Sequence, residues 1–197
     1  MPAELPVDAV LADLVDALTA NGAAVLIGPP GSGKTTRAPP ALLDAGLAND
    51  GRIILLQPRR VAARLAARRM AFERGGSVGG EVGYRIRFEN RTSAATRIEV
   101  LTEGLLTRQM QSDPFLEGVG LVILDEFHER SLHADLALAL IKEIQREARP
   151  DLLVLVMSAT LDPTGLVAFF DGCCPVVRVE GRHYSVDIEN LPHTDER

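Results

Sequence analysis

The chain has no tryptophan, two tyrosines and two cysteines among its 197 residues, and its only lysines are Lys34 and Lys142. Each scarcity excludes something. Cys173 and Cys174 are sequence neighbours, which is poor geometry for a mutual disulfide. They cannot build a metal set, and they fit a reducing compartment in which they pack as small hydrophobes. The histidines, His128, His133, His183 and His193, are not spaced as zinc ligands, and the first two lie one residue too far apart for H-E-x-x-H. No apolar run is long enough to cross a bilayer, and no basic segment leads into an apolar stretch at the start. A soluble, cytoplasmic protein is expected.

With so few lysines, arginine carries nearly all the positive charge of a chain whose net charge is −6. The arginines cluster. Arg52, Arg59, Arg60, Arg64, Arg68, Arg69 and Arg74 fall in one stretch with Glu73 as the sole acid, and Arg85, Arg87, Arg91 and Arg97 follow. A basic strip on an acidic body can bind phosphates, since screening limits the distant acids to about 8 Å at physiological salt. A solvated helix face is the plainer reading of the same pattern.

The most specific stretch is Gly28-Pro29-Pro30-Gly31-Ser32-Gly33-Lys34-Thr35, which matches G-x-x-x-x-G-K-[ST]. Ala23 to Ile27 reads as a buried strand before it, and a helix is expected from Lys34 until Pro39 and Pro40 stop it. Strand, glycine turn and helix start together aim backbone N–H groups and the positive end of a helix dipole at one point, an arrangement suited to a polyphosphate. Gly31 and Gly33 supply the turn, Lys34 reaches the β- and γ-phosphates, and the Thr35 hydroxyl holds a magnesium ion.

Elsewhere, apolar runs alternate with helical spacing. Helices are expected over 5–20, 59–74, 102–111, 132–147 and 163–170, and strands over 52–57, 82–88, 97–101, 119–124, 152–157 and 175–179. The strand at 82–88 alternates as a half-exposed one does, with Arg85 and Arg87 on one face. The fold class is therefore α/β, a mostly parallel sheet with helices on both faces. Asp125 and Glu126 directly follow Leu121 to Leu124, at the carboxyl end of a strand, where a P-loop sheet meets its phosphates. Asp125 suits a metal-holding role and Glu126 the orientation of an attacking water. His128 is placed to pair with Glu126 or with the Ser158-Ala159-Thr160 turn, in which Ser158 and Thr160 could alternatively act as caps.

These stretches, with Gln57-Pro58-Arg59-Arg60-Val61-Ala62-Ala63, Thr102-Glu103-Gly104 and Asp125-Glu126-Phe127-His128-Glu129-Arg130, occur in an order and spacing that resemble the first RecA-like motor domain of DEAH-box helicases of superfamily 2. Phe127, with Glu129 to Leu132 and Val82 to Arg85, is most similar to the bacterial HrpB type. The resemblance implies a RecA-like P-loop NTPase domain over 1–180 and a linker over 181–197 toward a second RecA-like domain that this chain lacks. It implies ATP and Mg2+ bound by Gly28, Gly31, Ser32, Gly33, Lys34, Thr35 and Thr36, with Arg69 against the base. Thr35 and Asp125 would hold the metal; Glu126, Asp125, Lys34 and His128 would carry hydrolysis. Arg59, Arg60, Thr102 and Gly104 would grip the backbone of a single strand, RNA more than DNA, without reading its sequence. Ser158 and Thr160 would couple nucleotide state to that grip. Without the second domain's arginine finger, worth about 10³–10⁵ in rate, the chain alone is expected to hydrolyse poorly. Another kind of P-loop enzyme and a non-catalytic nucleotide-gated binding module are the alternatives.

Overall fold

In the computed structural model, which describes residues 4–159 and 162–181, the apolar runs become strands buried on both faces. A 3-10 turn, Pro6–Val10, leads into α1 (Leu11–Asn21), β1 (Ala23–Ile27), α2 (Lys34–Asp44), β2 (Arg52–Gln57) and α3 (Arg60–Glu73). Then come β3 (Val82–Ile86), β4 (Glu89–Arg91), β5 (Ile98–Thr102), α4 (Glu103–Ser112) and β6 (Val119–Leu124). A 3-10 turn at Phe127–Glu129, α5 (Leu132–Glu147), β7 (Leu153–Ser158), α6 (Thr164–Phe169) and β8 (Val176–Arg178) complete the described elements.

The strands make one sheet in the order β4-β3-β5-β2-β6-β7-β1-β8, parallel throughout except for the β3–β4 pair. Alternate residues of each central strand feed two cores. Ala24 and Leu26 of β1 pack with Leu14, Leu18, Leu42 and Met70 from α1, α2 and α3. Ala23, Val25 and Ile27 pack on the other face with Leu106, Leu138, Ile141 and Leu166 from α4, α5 and α6. The expected layering, helices on both faces of a mostly parallel sheet, is what is found. Among the described residues, no helix is long and apolar enough to cross a membrane.

Local signals explain the helix bounds. Ser131 caps α5, its Oγ accepting from the Ala134 N–H at 2.9 Å, with Asp135 in the first turn and Arg146 in the last. α2 departs from expectation: it runs through Pro39 and Pro40 to Asp44. Neither proline has an N–H to give back to the preceding turn. Burial of Ala38, Pro39 and Leu42 holds the helix together instead. The first helix also differs, its opening being a 3-10 turn.

The expected strand at 82–88 ends at Ile86, turns at Arg87 and Phe88, and returns as the antiparallel β4. β3 is not half-exposed: it lies between β4 and β5, and Arg85 turns onto Glu99 at 2.9 Å rather than toward solvent with Arg87. Cys174 is buried, but Cys173 is exposed, so only one thiol packs as expected.

Candidate functional site

The glycine loop, Arg59 and Arg60, Thr102 and Gly104, Asp125 and Glu126, and Ser158 sit at or just beyond the carboxyl ends of the central strands, whereas Arg69 lies well inside α3. From β5 to β1 those ends carry Thr102, Gln57, Leu124 leading to Asp125, Ser158 and Ile27, because the parallel register sets Gln57 beside Thr102 and Ile27 beside Ser158. The glycine loop follows β1 and enters α2 through Gly33, whose φ of 94° an L side chain rarely adopts. Gly31 is also left-handed, at 77°, and a Cβ there would meet nothing. The Gly28 N–H donates to the Ser158 carbonyl at 3.1 Å, tying the loop's base to the end of β7.

Lys34 lies folded into the loop, almost fully buried. Its Nζ donates to the carbonyls of Gly28 and, at 3.0 Å, Pro29, and lies 3.4 Å from Ser32 Oγ. Burial lowers the ammonium's pKa below the ordinary lysine value, and the carboxylates of Asp125 and Glu126 oppose that shift. Asp125 is the converse. Burial raises its carboxyl above the ordinary range, Glu126's charge adds to that, and hydrogen bonds from Thr35, the Glu126 N–H and Gln57 pull it back. Thr35 Oγ1 donates to Asp125 Oδ2 at 2.6 Å, and Gln57 Nε2 donates to the same oxygen. The Glu126 N–H holds Oδ1 at 2.8 Å, while the Asp125 N–H is pinned to the Leu56 carbonyl at 3.1 Å.

A hydroxyl and a carboxylate in direct contact are the hard oxygen donors that magnesium takes when phosphates and water supply the rest of its shell. The pair fits that ion. Among the described residues, no group of three or more acids, histidines or cysteines forms a metal cage.

Glu126 sits at φ 51°, a left-handed position costly for a carboxylate residue, and so its half-exposed side chain leaves the strand axis. His128 lies between the two partners the sequence offered it. Its Nδ1 is 3.4 Å from the Ala159 N–H, which it accepts, and 3.5 Å from Glu126 Oε2. A single nitrogen cannot accept from one and donate to the other, so the ring's tautomer decides which contact is made. Ser158 is fully buried, with its Oγ unpartnered among the described residues. Thr160 lies outside the described residues, as does the expected linker beyond Gly181.

Arg59, Arg60, Thr102 and Gly104 share the β2–β5 side of the same edge. Arg59 and Arg60 are exposed, and Arg59 bonds Glu129 at 2.8 Å. Much of the wider basic strip is paired internally. Arg64 pairs with Glu89, Arg74 with Asp44 and Glu81, and Arg85 and Arg52 with the buried Glu99. Arg69 bonds Glu73, which also faces Arg37 of the first turn of α2 at 3.8 Å, so it is tied toward the glycine loop. Thr36 lies in that first turn, its N–H bonding Gly33. Sequence reasoning passed over Gln57 as a ligand of Asp125, although a polar residue closing the run Ile53 to Leu56 at the functional edge was a usable signal. Glu129 as the partner of Arg59 had no such signal.

Residues 10–167 match the family model described as DEAD/DEAH box helicase. The chain is 51% identical to the ATP-dependent RNA helicase HrpB of Escherichia coli (strain K12) over 188 residues, 95% of this chain and 23% of that protein. It is 43% identical to the probable ATP-dependent RNA helicase DHX35 of Homo sapiens over 175 residues, 83% of this chain and 25% of that one. A crystal structure of E. coli DEAH/RHA helicase HrpB superposes with a TM-score of 0.88 at 50% identity, over 98% of this chain and 24% of that one. A second, of E. coli DExH-box NTPase HrpB, also gives 0.88, at 49% identity. The chain thus spans about a quarter of the length of these relatives.

Proposed function

This chain belongs to the DEAD/DEAH box helicase family, and from that premise we propose that it is the ATP-binding motor domain of an ATP-dependent helicase acting on single-stranded RNA rather than DNA. One observation carries the reading: the 2.6 Å bond between Thr35 and Asp125 joins the glycine loop to the acidic strand end, two pieces of chain 90 residues apart. ATP would enter with its phosphates against the N–H groups of Gly31, Gly33, Lys34 and Thr35, and Lys34 would exchange the Gly28 and Pro29 carbonyls for phosphate oxygens. Thr35 and Asp125 would hold magnesium, which when bound neutralises phosphate charge. Arg69, released from Glu73, would stand against the base.

Glu126 orients the attacking water and takes its proton, its strained backbone placing the carboxylate clear of Asp125. His128 answers the change at Glu126 through its contact with Ala159, beside Ser158, whose carbonyl holds the loop. Residues 158–160 thereby link nucleotide state to the grip of Arg59, Arg60, Thr102 and Gly104 on a phosphodiester backbone. In this reading residues 1–180 form the domain, 181–197 lead toward a second RecA-like domain that supplies the arginine finger, and the protein works in the cytoplasm.

The test is ATP turnover by this chain and by the protein of its relatives' full length, each with and without single-stranded RNA. The chain alone should bind nucleotide and turn over slowly, with little stimulation. The longer protein should gain about 10³-fold or more, and Glu126→Gln within it should keep ATP bound and stop turnover. Strong RNA-stimulated turnover by the chain alone, or unchanged turnover in the Glu126→Gln protein, refutes the assignment.

A further inference from the structure

The glycine loop is braced by the segment of chain that leads into α1. Val7 is fully buried, and its N–H donates to the Ser32 carbonyl at 3.0 Å. A Cβ placed on Gly33 would stand 2.8 Å from Leu5 Cδ1 and 3.1 Å from Val7 Cγ1, so these two side chains fill the space against the turn. The segment is itself preset. Pro6 fixes φ at the first position of the 3-10 turn, the Leu5 N–H donates to Asp8 Oδ2 at 2.8 Å, and the Asp8 N–H returns to the Leu5 carbonyl at 2.9 Å. A cavity of about 350 Å³, lined by Glu4, Leu5 and Pro6 on one side and Pro29 to Ser32 on the other, lies beside this contact, while Gly33 is met directly by Leu5 and Val7.

We propose that Leu5 is a positioning residue of the nucleotide site. Its side chain, with Val7, holds the left-handed turn at Gly33 from behind and so fixes the direction of the Gly33 to Thr35 N–H groups. The opposite flank is closed the same way, since a Cβ on Gly28 would come 2.7 Å from Val179 Cβ. Leu5 therefore acts on phosphate binding through backbone geometry, because a loop free to relax loses the convergence of its N–H groups. The inference rests on the nucleotide-binding reading above and deepens it.

The test measures binding of a fluorescent N-methylanthraniloyl ADP, with magnesium, to this chain and three variants. Leu5→Ala should weaken binding roughly tenfold, and Leu5→Met should restore it. Leu43→Ala, a partly buried leucine of the same core that lies away from the loop, should lose similar stability in thermal melts and bind as the unaltered chain does. Should Leu5→Ala fail to fold, Leu5→Val carries the same comparison. Equal weakening in Leu5→Ala and Leu43→Ala reduces the role of Leu5 to stability and overturns the proposal, as does unaltered binding in Leu5→Ala. Failure of the unaltered chain to bind the probe would instead overturn the nucleotide reading itself.

Discussion

At the scale of single residues, the candidate site is a set of groups kept away from their ordinary states. Lys34 and Asp125 are both buried, and burial drives each toward its neutral form, the lysine downward and the carboxyl upward. The carboxylates of Asp125 and Glu126 oppose the lysine's shift, so the site stays poised for a ligand that brings charge of its own. A simpler contrast is available in the two thiols. Burial pushes the Cys174 thiol up to about 11, whereas its neighbour Cys173 is exposed. The thiolate is the reactive form, so a pKa raised by burial leaves Cys174 protonated at neutral pH and slow to react. Native protein at pH 8 should therefore take up one equivalent of iodoacetamide, at Cys173, and the second only on unfolding. Peptide mapping by mass spectrometry checks this, and labelling of both thiols at equal rates would contradict the packing around Cys174.

Among the elements, the most instructive is the β3–β5 pair. A charge pattern along 82–88 reads as a basic face, yet Arg85 reaches across to the buried Glu99, and Arg52 approaches the same carboxylate at 3.6 Å from β2. Glu99 is 3% exposed, and those two guanidinium groups are the cations that face it. Removing one partner of a buried pair leaves an uncompensated charge, at a cost of about 3 kcal/mol. Arg85→Ala should lower stability by nearly that much in urea titrations, with Arg52 offsetting part of the loss. Glu99→Leu combined with Arg85→Met should recover most of it. A loss below about 0.5 kcal/mol, as expected of a surface arginine, would mean that Glu99 is satisfied some other way.

The same element shows what a sequence can and cannot carry. Strands covered on both faces announce themselves as apolar runs, so β1, β2, β6 and β7 were legible, as was α5 between Ser131 and Glu147. The glycine loop and Asp125–Glu126 were legible because phosphate chemistry demands residue types at fixed spacing. What pairs Arg85 with Glu99, Arg59 with Glu129 or Leu5 with Gly33 is strand order and tertiary packing, which no local pattern encodes. Nor did local rules allow for a helix continuing past Pro39 and Pro40, where burial outweighs two missing hydrogen bonds.

For the molecule as a whole, the question is how a chain of net charge −6 could hold a polyanion. Much of its arginine is spent internally, and Arg59 itself bonds Glu129. Arg60, exposed at the start of α3, makes no ion pair among the described residues. Binding a single strand along the β2–β5 edge thus means that phosphate displaces Glu129 from Arg59, while Arg60 is already available. Two variants should move in opposite directions. Glu129→Gln frees Arg59 and should tighten binding of a fluorescein-labelled oligouridylate at low salt. Arg60→Ala removes one phosphate contact and should weaken it, lowering the slope of log affinity against log salt by roughly 0.7. Both shifts should be insensitive to the base composition of the strand, because contacts to phosphate carry no sequence information. If Glu129→Gln has no effect while Arg60→Ala still weakens binding, the strand runs past Arg60 without engaging Arg59. If neither changes the affinity or its salt slope, the polynucleotide track does not lie on this edge of the sheet.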